Sequence, residues 1–389
     1  MTADKPVPAL RIALLITTEQ ILLSDYTTLR LGGPAARFVC AAADDELIDA
    51  VATADAAAEP VLVLGGGSNL VVADQGFPGT VVLAAADGLT FSRTADSVEA
   101  TVSAGHDWDE FVRRCLAEGL SGVEGLSGIP GRAGATPIQN VNAYGQDVAH
   151  TIASVRVYDR LTGQIAQLAG PECGFGYRTS VFKRAADRPG RGQGGSPESA
   201  TGRFIVLAVT FRLASSPLSA PIRYGELSRV LEVAEGGRVP LMAAREAVLE
   251  LRRGKGMVLD AADPDTRSAG SFFTNPIVSA ARYARLADQV AAGVTGGAGS
   301  GIPHWPADDG QVKLSAAWLI ERAGFGKGYQ LRDDPDGARI STKHALALTN
   351  PGSATTSSLI RLARQIRAGV AARFGVELAP EPVLVGVSL

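Results

Sequence analysis

Apolar residues fall into two regimes along this chain. Up to about residue 213 they come in short runs bounded by Gly, Pro, Asn or Asp, which predicts strands joined by turns. Beyond that point they recur at three- and four-residue spacing over longer stretches, which predicts helices. In the first regime, residues 29–33 read as a strand fragment ending in a turn at Pro34, and residues 36–41 as a second strand. Asp44 is placed to cap a helix that runs to about Ala58, with Leu47 and Val51 on one face. Strands are predicted over 61–64, 80–83, 98–103, 152–159 and 204–213, with 164–168 returning on 152–159 through a turn at Leu161, Thr162 and Gly163. Between them, Asp107 and Glu110 have capping-box spacing, Trp108, Phe111, Val112, Cys115 and Leu116 form an apolar stripe, and Gly119 supplies the stop. In the second regime, helices are predicted over 241–253, 313–323 and 357–374.

Residues 118–147 fit neither pattern. They are too rich in Gly for a regular element, yet Leu120, Val123, Leu126, Ile129, Ile138 and Val141 are too apolar for a solvated loop. Glycine lets backbone approach a flat or phosphorylated ligand, so the stretch reads as a wall facing one. A tight crossing of two core elements would have the same composition. Residues 61–64 likewise run straight into Gly65, Gly66, Gly67, Ser68 and Asn69, an arrangement in which successive amides can cradle a pyrophosphate. It matches neither G-x-G-x-x-G nor a P-loop, and a hairpin turn is the alternative.

At 389 residues the chain is long for one core. With 46% hydrophobic and 20% charged residues it has the composition of a soluble globular protein, and a net charge of -3 gives no basic face for nucleic acid. Any anionic ligand therefore depends on local Arg and Lys. Cys40, Cys115 and Cys173 are widely spaced and read as reduced packing thiols; His106, His150, His304 and His344 show no metal-ligand spacing. The apolar run 9–16 is too short to span a bilayer and lacks a signal-peptide cleavage site, so a cytoplasmic protein with a loosely ordered segment 1–24 is expected.

Three positions stand out as candidate chemistry. Ser271 lies between Gly270 and two Phe residues, where a hydroxyl is partly shielded from water; a turn Ser ahead of Pro276 is the simpler reading. Glu381 is held between Pro380 and Pro382, which restrict its backbone, although an exposed Glu before a last strand would look the same. Lys255 follows Arg252 and Arg253 at a helix end, where it could meet phosphate or remain a solvated charge. Arg178, among aromatics in 173–183, needs an anionic partner if buried. Ser180 and Lys183 match S-x-x-K, but S-D-N, K-T-G and G-x-S-x-G are all absent, so acyl transfer is set aside. A nucleotide-sugar binder without catalysis remains, and a yellow colour bleached by reduced nicotinamide would separate it from an enzyme.

Six segments, 28–33 (TLRLGG), 64–70 (LGGGSNL), 128–140 (GIPGRAGATPIQN), 177–183 (YRTSVFK), 270–276 (GSFFTNP) and 380–382 (PEP), occur in an order that resembles the UDP-N-acetylenolpyruvoylglucosamine reductase family in its longer, first type. The resemblance implies an α+β protein. It implies an FAD-binding fold of the vanillyl-alcohol-oxidase type in two subdomains, 25–87 (with a C-terminal return, 381–389) and 88–213, and an α+β substrate-binding domain, 214–380. It further implies that NADPH reduces FAD, that hydride then passes to the terminal carbon of the enolpyruvyl sugar nucleotide, and that a serine protonates the adjacent carbon. By position that serine is Ser271, with Arg178 and Glu381 binding the carboxyl end of the substrate and stabilising the enol-like intermediate. Tyr177, Lys255 and Asn275 match substrate-binding positions, and Tyr224 is placed near them. For FAD, Gly65, Gly66, Gly67, Ser68, Asn69 and Leu70 would take the pyrophosphate. Ile129, Pro130, Gly131, Ala135, Thr136, Gln139, Asn140 and Gly145 would line the ring and ribityl chain. No nucleic acid, membrane insertion or obligate protein partner is implied.

The sequence departs from the family in one respect. Some members close the site with a Tyr on the loop after the Y-R-x-S-x-F-K motif, whereas residues 184–202 hold no aromatic residue. Trp305, in the insertion 280–310, is taken as the candidate cover. A sugar or lactone oxidase on the same flavin fold is the alternative activity.

Overall fold

The structure is a computed structural model that describes residues 21–93, 97–184, 201–292 and 301–389. The mobile-loop expectation for 184–202 therefore falls largely outside the described residues, as does the apolar run 9–16.

The strand Phe77–Ala84 lies between Ala35–Ala41 and Val61–Leu64, parallel to both. Parallel neighbours need a crossover, which helix α1 (Asp44–Ala56) supplies by burying Leu47, Val51 and Ala54 against Ala41, Val61 and Val82. Asp44 does not cap this helix. Ala43 is the N-cap residue and makes no side-chain bond, while the Asp44 carboxylate turns aside to Arg156 at 2.5 Å. The predicted fragment 29–33 is not a strand either. Thr27 Oγ1 donates to the Leu31 carbonyl (2.8 Å) and accepts from its amide (3.2 Å), closing a turn with Arg30 at φ 54° and both leucines buried.

A second, antiparallel sheet runs Gln164–Ala169, Ile152–Asp159, Phe204–Ser215, Val98–Ser103, Leu89–Arg93, and its hairpin pairs Asp159 with Gln164 as the turn signal predicts. Helix α2 (Trp108–Ala117) packs Trp108 and Phe111 onto Phe211, with the two Phe ring centroids 4.9 Å apart. Its cap is half of the expected box. Asp107 accepts from the Glu110 amide (3.0 Å), but the Glu110 carboxylate pairs forward with Arg113 instead of returning to Asp107.

After the short helices α3 (Val181–Arg184) and α4 (Gly225–Val230), the remainder of the chain supplies α5 (Leu241–Gly254), α6 (Ala280–Ala291), α7 (Ala316–Arg322) and α8 (Thr356–Phe374) with two small sheets. The helix expected from residue 313 starts only at Ala316. Ser315 caps it, and Val312–Leu314 is a strand between Ile277–Val278 and His304–Pro306. Phe272, Phe273, Leu319, Leu359, Leu362 and Ile366 share one core with Leu29, Leu31 and Val71 from the other end of the chain. The last strand, Val383–Val385, pairs in parallel with Leu70–Val72, so the carboxy-terminal segment is fastened directly beside the glycine loop. Of the three thiols, Cys115 and Cys173 are buried packing residues, whereas Cys40 is exposed.

Candidate active site

A cleft of about 1230 Å³ is bordered by Gly65 to Leu70 on one loop, by Ile129, Pro130, Gly131, Ala135, Thr136, Gln139, Asn140 and Gly145 from the wall, and by Tyr177, Arg178, Tyr224, Lys255, Ser271 and Glu381. This volume exceeds that of a typical drug-sized pocket, with room for a dinucleotide and a second ligand.

The glycine loop is not a hairpin turn, because among the described residues Val61–Leu64 pairs only with Phe77–Ala84 and Leu70–Val72 only with Val383–Val385. Its glycines answer first to backbone neighbours. A Cβ on Gly66 would stand 2.7 Å from Gly131 Cα, and one on Gly67, at φ 60°, would stand 1.9 Å from the Tyr26 carbonyl oxygen. Held this closely, the amides of Gly66, Gly67, Ser68 and Asn69 find no hydrogen-bond acceptor among the described residues. Four successive unpaired donors fit a pyrophosphate, as FAD would present. The wall behaves in the same double way. A Cβ on Gly134 would meet Ala104 Cβ at 2.4 Å, and the first turn of α2 holds the wall through Trp108 N–H to Gly131 O (3.1 Å) and Trp108 Nε1–H to Leu126 O (3.1 Å). The other side of the same segment borders the cleft, so tight crossing and ligand face are both true of it.

Ser271 ends the strand Ser268–Ser271, just after Gly270 at φ 71° and ahead of the buried Phe272 and Phe273. Its hydroxyl has no partner among the described residues. The Glu381 amide donates to the Phe272 carbonyl at 2.9 Å, which brings together two residues more than a hundred positions apart. Glu381 is 9% exposed, and Arg178 Nε lies 2.9 Å from its Oε1. Burial pushes the Glu381 carboxyl above its ordinary range, opposed by the positive charges of Arg178 and Lys183. Arg178 adopts φ 54°, a conformation costly for a side-chain-bearing residue, and Lys183 Nζ donates to its carbonyl at 3.3 Å. Ser180 points elsewhere, donating to Ile138 O at 2.6 Å, so the S-x-x-K spacing builds no nucleophile.

Two expected residues do not border the cleft. The Asn275 carboxamide oxygen accepts from the Ala316 amide (2.9 Å), and the Asn275 backbone N–H donates to the Tyr177 hydroxyl at 3.4 Å, so Asn275 touches the site through Tyr177. Trp305 is 46% exposed on the strand His304–Pro306 and lies outside the lining. It is cross-strand from Lys313, and it is Lys313 that enters the cleft, with Nζ 4.7 Å above the Tyr177 ring. Arg252, His344, Tyr144 and Lys183 also line the cleft, and sequence reasoning did not place them there. Lys183, within the Y-R-x-S-x-F-K segment, Tyr144, within 118–147, and Arg252, in the basic cluster with Lys255, carried a sequence signal; His344 carried none. His344 is held neutral: burial, with Lys255, Lys327 and Arg252 nearby, depresses it to about 4, and its Nδ1 accepts from the Leu346 amide at 3.1 Å.

Comparison with known proteins agrees with this geometry. Residues 35–169 match the FAD binding domain, and residues 263–385 match the UDP-N-acetylenolpyruvoylglucosamine reductase C-terminal domain. The chain is 57% identical to the UDP-N-acetylenolpyruvoylglucosamine reductase of Thermobifida fusca, over 94% of this chain and 97% of that one. It is 55% identical to that of Salinispora arenicola, over 94% and 95%. The crystal structure of the Thermus caldophilus reductase superposes with a TM-score of 0.60 at 26% identity, covering 95% of this chain and 99% of that one. This α+β chain, with its FAD-binding domain, belongs to the UDP-N-acetylenolpyruvoylglucosamine reductase family of FAD-dependent oxidoreductases.

Proposed function

We propose that this chain uses NADPH to reduce UDP-N-acetylglucosamine enolpyruvate to UDP-N-acetylmuramate, a step in the supply of peptidoglycan precursors. FAD, when bound along the glycine loop and the wall, supplies the hydride chemistry. The observation that carries the reading is the convergence of Ser271, Arg178 and Glu381 on the cleft that the unpaired amides of Gly66 to Asn69 also border. In this reading the Ser271 hydroxyl holds the proton that the carbon next to the reduced terminus receives. With no competing partner among the described residues, it can orient toward substrate. The Arg178 guanidinium meets the substrate carboxylate. Burial raises the Glu381 carboxyl, and in its protonated form it can donate a hydrogen bond where enolate charge develops; charge met only as it forms lowers the barrier most. Tyr177, Lys255 and Tyr224 bind the rest of the nucleotide sugar, with Asn275 holding Tyr177.

We divide the chain into an FAD-binding subdomain at 25–87 with the return 381–389, a second at 88–213, and a substrate-binding domain at 214–380. The parallel sheet, the antiparallel sheet and the helical remainder support that division. Nucleotide substrates support a cytoplasmic location, and among the described residues no helix is long and apolar enough to cross a membrane. The test is anaerobic incubation of the FAD-loaded protein with NADPH and the enolpyruvyl nucleotide. Stoichiometric UDP-N-acetylmuramate is expected; flavin bleaching without that product would contradict the proposal.

A further inference from the structure

Lys255 already has a counter-ion. Its ammonium lies 2.5 Å from a carboxylate oxygen of Glu226, with the two side chains 31% and 33% exposed. Glu226 stands in the first turn of α4, two residues after Tyr224, the N-cap residue of that helix. The Tyr224 ring meets Tyr144 edge-on at 5.3 Å, and Lys255 Nζ lies 5.7 Å above the Tyr144 ring. Lys255, Tyr144 and Tyr224 border the cleft, whereas Glu226 does not. The carboxylate thus reaches the ammonium from outside the lining. One turn earlier on α5, Arg252 is 9% exposed, donates to the Met257 carbonyl at 2.7 Å, and has a buried Nε without an acceptor among the described residues. Two cations at one end of a cleft, one of them held by an acid that is not itself part of the lining, form an anion site in competition with its own carboxylate.

We propose that Glu226 is a positioning residue that holds Lys255 until a phosphate of the nucleotide takes its place, and that this exchange sets the affinity of the cleft for nucleotide diphosphates. The inference rests on the reading of Lys255 as a substrate-binding residue. The exchange is cheap, because a partly exposed ion pair is weak and its partner can turn out to water. Glu226 therefore orients the lysine over Tyr144 and lowers affinity at the same time.

UDP serves as the probe, titrated calorimetrically into the FAD-loaded protein. Glu226→Gln is expected to tighten UDP binding by a factor of about two to five, the worth of a partly exposed pair. Lys255→Met is expected to weaken it, and in the Lys255→Met background Glu226→Gln is expected to have no further effect. A purely structural role for the pair would make Glu226→Gln weaken binding, which would overturn the proposal. A tightening that persists without Lys255 would also overturn it, since the effect would then be general charge repulsion. Unchanged binding in Lys255→Met would remove the reading of Lys255 itself. Weakened binding there, with no gain in Glu226→Gln, would remove only the role of Glu226.

Discussion

At Gly67 one methyl group decides whether the loop can exist. Its φ of 60° and the 1.9 Å approach to the Tyr26 carbonyl leave no room for Cβ. Gly67→Ala is expected to cost about 2 to 3 kcal/mol, read as a lower denaturant midpoint, and to reduce FAD retained on purification. Local residues left Ser271 open between a shielded hydroxyl and a turn Ser, and Glu381 open between a held and an exposed carboxylate, and the family resemblance singled them out. Ser271 between Gly270 and two Phe residues, and Glu381 between prolines, both reach the cleft. Lys313 and His344 were not legible, because what brings them there is strand pairing and core packing among residues distant in sequence. Asp44 shows the converse. A good capping residue was drawn away by Arg156 on another sheet, a partner that sequence position does not reveal.

Among elements, the first turn of α2 bears the most structural responsibility. Asp109 accepts from the Gly128 amide at 2.6 Å and takes a bidentate pair from Arg245 of α5 at 2.8 and 2.7 Å. It thereby ties the wall to the helix that ends in Arg252 and Lys255. Asp109→Ala would leave Arg245, only 7% exposed, without its partner. The expected loss is about 2 to 3 kcal/mol, with Arg245→Met milder because Asp109 is partly exposed and can be hydrated; comparing the two melting transitions checks this. The apolar periodicity of α2, α5 and α8 made those helices legible within a residue or two. The wall was legible only as an ambiguity, since composition cannot tell which side of a glycine faces backbone and which faces ligand. Helix α7 was read three residues too early because Leu314 continues the apolar spacing of Ala317 and Trp318 while pairing as part of a strand.

Over the whole molecule, the fold joins distant segments beside the cleft, and neutral His344 sits at that junction. A histidine at about 4 when folded and near 6.5 when unfolded contributes stability that is fully present above pH 6.5. That contribution is lost as pH falls toward 4, because the unfolded chain takes up the proton first. His344→Gln should remove on the order of 1 to 2 kcal/mol of the stability lost between pH 7 and pH 5, seen as a flatter dependence of the denaturant midpoint on pH. Glu381 acts in the opposite sense: with its carboxyl raised by burial, its contribution is present at low pH and fades as pH rises through the folded value. The order of the six segments made the family resemblance legible; the sharing of one core by Leu29, Val71 and Ile366 was not, because no local pattern encodes it.

We propose that Ser271 delivers the proton. Its most direct test is a stopped-flow comparison of the two half-reactions in Ser271→Ala. Parent-like FAD content and parent-like bleaching by NADPH are expected, with reoxidation by the enolpyruvyl nucleotide slowed at least about a hundredfold, the scale of a lost general acid. Reoxidation at the parental rate would contradict it.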